Sequence, residues 1–527
     1  MSSATDPVHI SAVMPELTAA MARDVANRHG VCIRPLIRRV LDRETGSGTR
    51  VAIRCGSTRA SVCPGCADSA RRLRIQQCAS GWHRDSEPEV EPSALSCKDE
   101  DSAATDGRGD SGDASRRVRS TVRRADIPDL PRVPMASGTI GRTFVTPDGR
   151  TYRPSMFVTL TLPSYGKVHR GVPVDASTYD YRRAALDAIV FPRLLDRFWQ
   201  NLRRVAGFKV QYFSAIEPQH RLAPHLHAAI RGSIPRVTLR QVVAATYVQI
   251  WWPPFRTPVY TNLLPRWDGT DYVDSLSGEV LPTWTEALDE VQRDPEAKPS
   301  HVARFGRQLD IAGIIAPSED ADRAIRYLTK YLTKSIANAH VAEDAEDLAY
   351  EAHIDRLHDE LRWLPCGERC ANWLRYGVQP HDAGPGLVPG RCPGKAHDRE
   401  NLGLGGRRVL VSRQWSGKTL SQHKADRAAV VREALEAAGM VGPEIERLAA
   451  DVVAADGKPR YLWSEERPDP ITYARVLMAA IAERLRWKTQ YQLAKDRIAA
   501  VDNRSATSGP APPDLVEHAD PQPEPIP

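Results

Sequence analysis

The sequence has no run of 18 apolar residues and no basic-then-apolar stretch at its N-terminus. This excludes a membrane-spanning helix and a secretory signal from the reading. A dominant charge is also missing. With 72 Lys+Arg against 66 Asp+Glu, the net charge is only +6 over 527 residues, so any role with a polyanion rests on local clusters rather than on the total. Nor is there a complete nucleotide-cradling loop. Gly417-Lys418-Thr419 invites that reading, but the glycine it requires upstream is Ser412, so no phosphate-loop NTPase is claimed. These absences point to a soluble, cytoplasmic chain with no membrane partner.

What is present is enough for two to four domains. Hydrophobic residues make up 41%, which supports sizeable cores, and 41 Pro with 34 Gly imply many loops. Nine cysteines is an odd number, and seven of them fall in two tight groups. In a reducing compartment such grouping favours metal over disulfides. Cys55, Cys63, Cys66 and Cys78 are spaced C-x7-C-x2-C-x11-C, and Cys63-Pro-Gly-Cys66 sets two thiolates on one turn, as tetrahedral zinc requires. Ordinary buried thiols, or His83 replacing one cysteine, are the alternatives. Cys366, Cys370, Cys392 and His397 form a second possible structural zinc set.

Between the cysteine groups lie two stretches that carry chemistry. Residues 208–217 and 225–231 read as strands joined by the loop PQHRLAP. On a strand, side chains alternate, so His225 and His227 share one face while Leu226 packs into the core. If the loop closes a symmetric hairpin, Glu217 stands opposite His225. Two nitrogens and a carboxylate leave positions open for water and a phosphate oxygen, a set that suits Mg²⁺ or Mn²⁺ acting as a Lewis acid.

The second stretch is residues 324–336, AIRYLTKYLTKSI. At helical spacing Tyr327, Lys330, Tyr331 and Lys334 form one stripe, and Ile325, Leu328, Leu332 and Ile336 form another. A solvated polar face is the bland reading. Beside a metal that polarises a phosphodiester, however, a phenol becomes a nucleophile, and the ammonium groups of Lys330 and Lys334 favour the phenolate. Tyr331 follows Lys330 directly and has Lys334 at i+3, so the local charge favours Tyr331 for attack, with Tyr327 as helper or termination residue.

FVTLTLP, PHLHAAI and YLTKYLTK, in that order, resemble the three motifs of HUH (His-hydrophobic-His) endonucleases. More narrowly, the chain resembles the rolling-circle replication initiators of actinomycete plasmids and integrative elements. CGSTRASVCPGCADSARRLR and CANWLRYGVQP…LGLGGRRVLVSRQWSGKTL are similar to that group as well. The resemblance implies an α+β fold, with a HUH nuclease core whose central antiparallel sheet is flanked by helices, cysteine-rich zinc-binding segments and a helical C-terminal region. It also implies nicking at a plasmid origin, a 5′-phosphotyrosyl link at the second tyrosine of the pair, a free 3′-OH, and a host polymerase and helicase as partners. Related initiators often carry a glutamate four residues before the nucleophile, and here that position is Tyr327. A relaxase or transposase shares this chemistry, and a zinc-stabilised DNA-binding regulator is the non-enzymatic alternative. The expected layout is a cysteine-rich segment (1–83), a disordered linker (84–135), the nuclease domain (136–345), a second Cys/His segment with a basic Gly-rich strand (346–430), a helical region (431–501) and a disordered tail (502–527).

Overall fold

The computed structural model describes residues 7–84, 86–87, 123–140, 143–145, 147–149, 151–316, 318–330, 332, 345–437 and 452–507. Most of the expected linker, the tail from residue 508, and the residues Tyr331 and Lys334 lie outside them. The chain divides into two compact units, Met1–Cys55 with Lys424–Pro527, and Gly56–His423. The chain passes between the units at residues 55–56 and 423–424.

The first unit joins the two ends of the sequence. Helix Pro470–Thr507 carries Ala474, Leu477 and Ile481 on one stripe, and these bury against Ala22, Ala26 and Val31 at the end of helix Pro7–Arg28. An amphipathic stripe must find a partner to leave water, and here the partner lies more than four hundred residues away in the sequence. Strand Tyr461–Glu465 likewise adds in antiparallel fashion to the hairpin Leu36–Asp42 and Gly48–Ile53. The basic stretch around Arg38 becomes a strand, and Arg38 pairs with Glu465 at 2.7 Å. That pair is exposed on the Glu465 side and contributes little to stability.

The second unit is built from α1 (Pro64–Trp82), β1 (Thr151–Leu160), α2 (Tyr181–Val205), β2 (Gln211–Pro218), β3 (Pro224–Arg231), β4 (Leu309–Ala316), α3 (Glu319–Lys330), α4 (Ala345–Trp363) and β5 (Val409–Val411). Its sheet runs β4-β1-β3-β2-β5, antiparallel throughout, with Phe144–Val145 also paired to β1. The architecture is thus mixed α+β with an antiparallel sheet and flanking helices.

Both faces of this sheet are covered, and strand periodicity decides what each face holds. Val158, Leu160, Tyr212, Ile216, Leu226, Ala228 and Ile230 point to one side and join Phe191, Phe198 and Leu202 of α2 and Leu357 and Leu361 of α4 in the main core. Phe213, Ala215 and Ala229 point to the other side and pack with Cys78 and Trp82 of α1, Ile325 and Leu328 of α3, and Trp415. The same alternation puts Phe157, Thr159, Glu217, His225 and His227 on this second side, the side that α3 covers.

Candidate metal centre and tyrosine helix

The hairpin closes symmetrically. Pro218 faces Pro224 and Glu217 faces His225, the register expected from the loop length. Arg221 in the turn donates to the carbonyls of Leu162 and Pro163, each at 2.6 Å, and so ties the turn to the end of β1. Leu222 takes a left-handed φ of 61°, a strained choice for leucine, and its side chain is buried.

His225 Nε2 and His227 Nε2 stand 2.7 Å apart, and Glu217 Oε2 lies 3.9 Å from His227 Nε2. One ligand atom from each of the three residues lies within 4.8 Å of the others, and all three residues are buried. Glu217 is only 3% exposed, and its Oε1 has no hydrogen-bond partner among the described residues. A buried carboxylate oxygen left without a donor is costly. Here it sits beside two imidazoles whose burial holds them neutral, His225 down to about 3 and His227 to about 4. Burial also pushes Glu217 up to about 7, against the opposing charges of Arg408 and Lys330. Two neutral nitrogens and one reluctant carboxylate are a donor set that fits a divalent cation.

Tyr327 completes the cluster. Its Oη lies 3.3 Å from His227 Nε2, and its ring stands edge-on to His227 at 4.9 Å between centroids. Phe157 stacks on the same imidazole, with centroids 5.7 Å apart. Thr159 and Phe157 were not singled out from the sequence. The signal that would have found Thr159 is the strand pairing, which sets it directly opposite His227.

The first cysteine group is corrected. Cys63 and Cys66 do meet at the start of α1, with sulfurs within 4.8 Å. Cys78 does not join them. The spacer continues as one helix, so Cys78 lies about 18 Å further along its axis at 1.5 Å per residue. There it is fully buried, and Trp415 Nε1 donates to its carbonyl at 3.1 Å. His83 ends that helix and contacts Asp322 at 3.1 Å, so it does not replace a cysteine at the knuckle. Cys55 belongs to the other unit, where its N–H donates to Cys32 Sγ at 3.3 Å and the two sulfurs lie within 4.8 Å. Cys32 carried no role in the sequence reading.

In the second group, the ligand atoms of Cys366, Cys370, Cys392 and His397 all lie within 4.8 Å of one another. His397 Nδ1 donates to the Leu361 carbonyl at 2.7 Å, which turns Nε2 toward the thiols, 3.4 Å from Cys370 Sγ. A side chain at Gly394 would place its Cβ 3.0 Å from Cys366 Sγ and crowd that thiol. Such a set fits tetrahedral zinc.

A family model described as "Replication initiator protein, pSAM2" matches residues 18–483. A curated replication initiator protein of Streptomyces ambofaciens is 25% identical over 334 residues, covering 55% of this chain and 54% of the relative. The chain thus spans about half the length of that relative. No solved structure matches. Among the described residues, no helix is long and apolar enough to cross a membrane.

Proposed function

The chain belongs to the pSAM2 replication initiator family, and we propose that it acts in replication initiation as a HUH-type nickase that opens one strand of a plasmid origin through a tyrosine nucleophile. The observation that carries this reading is the approach of the Tyr327 phenol, at 3.3 Å, to a buried Glu217-His225-His227 donor set. The position of the histidine strand at the centre of an antiparallel sheet, with the tyrosine helix over its polar end, supports a HUH core.

Glu217, His225 and His227 would hold Mg²⁺ or Mn²⁺, which when bound supplies Lewis-acid polarisation of the scissile phosphate. A phenol oxygen of the tyrosine helix attacks phosphorus, the P–O3′ bond breaks, and the 5′ end stays on tyrosine while the freed 3′-OH serves as primer. Tyr331 takes this first attack. Tyr327, four residues before it in the sequence, takes the second transesterification that ends a round. Lys330 and Lys334 stabilise the phenolate and the developing phosphorane charge. Host polymerase and helicase then extend and unwind.

Mixing the protein with a supercoiled origin plasmid and Mg²⁺ tests the reading. Open circles with protein covalently bound to one 5′ end are expected; a mobility shift without cleavage would overturn it.

Metal binding carries a pH signature. Both imidazoles are already neutral at pH 6, whereas Glu217 gives up its proton only near 7. The cation must displace that proton, so Mn²⁺ affinity should rise about tenfold per pH unit below 7 and level off above it. A Mn²⁺ titration at several pH values checks this, and a flat profile between pH 5.5 and 7 contradicts it.

The cysteines serve folding. The Cys366, Cys370, Cys392 and His397 set holds one structural zinc. Metal analysis should find this ion: Cys392→Ser should hold one zinc fewer than wild type, while Cys78→Ala should hold as many as wild type. A Cys78→Ala protein with less zinc than wild type would restore Cys78 as a ligand.

A further inference from the structure

Resting on the metal reading above, we infer that Thr159 is a positioning residue that fixes the tautomer and ring orientation of His227. Thr159 lies on β1 directly opposite His227 of β3, and its Oγ1 is 2.9 Å from His227 Nδ1. The other ring nitrogen, Nε2, faces His225 Nε2 at 2.7 Å and the Tyr327 hydroxyl at 3.3 Å. Both hydroxyls can donate or accept, so it is the cation that selects the assignment. A metal-ligating Nε2 must present its lone pair, and the proton of the neutral ring then sits on Nδ1, donated to Thr159 Oγ1. The Nε2 lone pair is then directed into the Glu217-His225-His227 cluster, where a cation would take it. In the other tautomer Nε2–H would point at the cation site and block it.

Strand geometry explains why this role falls to a threonine at this position. Thr159 shares the site face of β1 with Phe157, which stacks on His227, while Val158 and Leu160 point into the main core. A hydroxyl on a β-branched residue reaches across one strand spacing with a single stiff χ1. Leucine or valine would fill the same space and leave Nδ1 with no acceptor. Partners of this kind behind a histidine ligand affect metal affinity by about 10- to 100-fold.

Thr159→Val is nearly isosteric and keeps the strand preference, and Thr159→Ser restores the hydroxyl. Full-length wild-type and variant proteins labelled at histidine would be examined metal-free by ¹⁵N imidazole NMR, with the His227 signal assigned by its absence in His227→Ala. Each would then be titrated with Mn²⁺. Wild type and Thr159→Ser should show the Nδ1–H tautomer and bind Mn²⁺ alike. Thr159→Val should shift toward Nε2–H and bind Mn²⁺ about 10- to 100-fold more weakly, with an unchanged far-UV spectrum and unchanged duplex-DNA affinity. A Thr159→Val protein with the wild-type imidazole spectrum and wild-type Mn²⁺ affinity overturns the inference while leaving the metal reading intact. Failure of the wild type to bind Mn²⁺ overturns both.

Discussion

Replacing His225 and His227 together with alanine should abolish origin cleavage while leaving the fold and duplex binding in place. The two imidazoles present neutral nitrogens 2.7 Å apart, and no other described histidine lies in this donor set. Loss of Lewis-acid stabilisation worth several kcal/mol corresponds to about a thousandfold or more in rate. Glu217→Ala should weaken activity less, because water can supply an oxygen where the carboxylate stood. The fold should survive because the apolar neighbours on the same strand, Leu226, Ala228 and Ile230, belong to the opposite face and its core. The measurements are single-turnover nicking, Mn²⁺ binding and far-UV circular dichroism on the same preparations. Full nicking by the double variant would remove the metal site from the mechanism.

The second large effect separates the two tyrosines. Tyr331→Phe removes only a hydroxyl and should eliminate the covalent DNA adduct formed on an origin substrate. Tyr327→Phe should still cut. Its ring contacts with Phe157 and His227 do not need the hydroxyl, so packing persists while the contact to His227 Nε2 is lost. Joined, recircularised product should then fall while the first adduct accumulates. Tryptic mapping of the adduct by mass spectrometry reads both results. An adduct that persists in Tyr331→Phe and disappears in Tyr327→Phe exchanges the roles. That outcome has a ready physical basis, since Tyr327 is the phenol with described geometry at the histidine pair.

Much of the site was legible in the sequence because it is local. His-Leu-His on a strand, a symmetric loop back to Glu217, and tyrosines at helical spacing each depend on one period and a few residues. Those periods are dictated by backbone geometry. The C-x3-C…C-x4-H set was legible for a similar reason: two short spacers and a glycine turn at Gly394 bring its ends together.

The tertiary structure decided what depends on distant partners or on a choice between two local outcomes. Cys78 sat at a plausible ligand spacing, but its spacer formed an uninterrupted helix, and a helix extends rather than folding back. Thr159 became significant only when β1 was paired to β3 in a register that sets it against His227. The two ends of the chain share one unit because Leu477 and Ile481 bury against Ala22 and Ala26, and hydrophobic burial is non-directional. By itself, then, the sequence determined the donor types at Glu217, His225 and His227 and the strand face they share, since these follow from periodicity within single elements. Only the tertiary structure decided which faces meet, because burial and strand register are settled between segments that the sequence keeps apart.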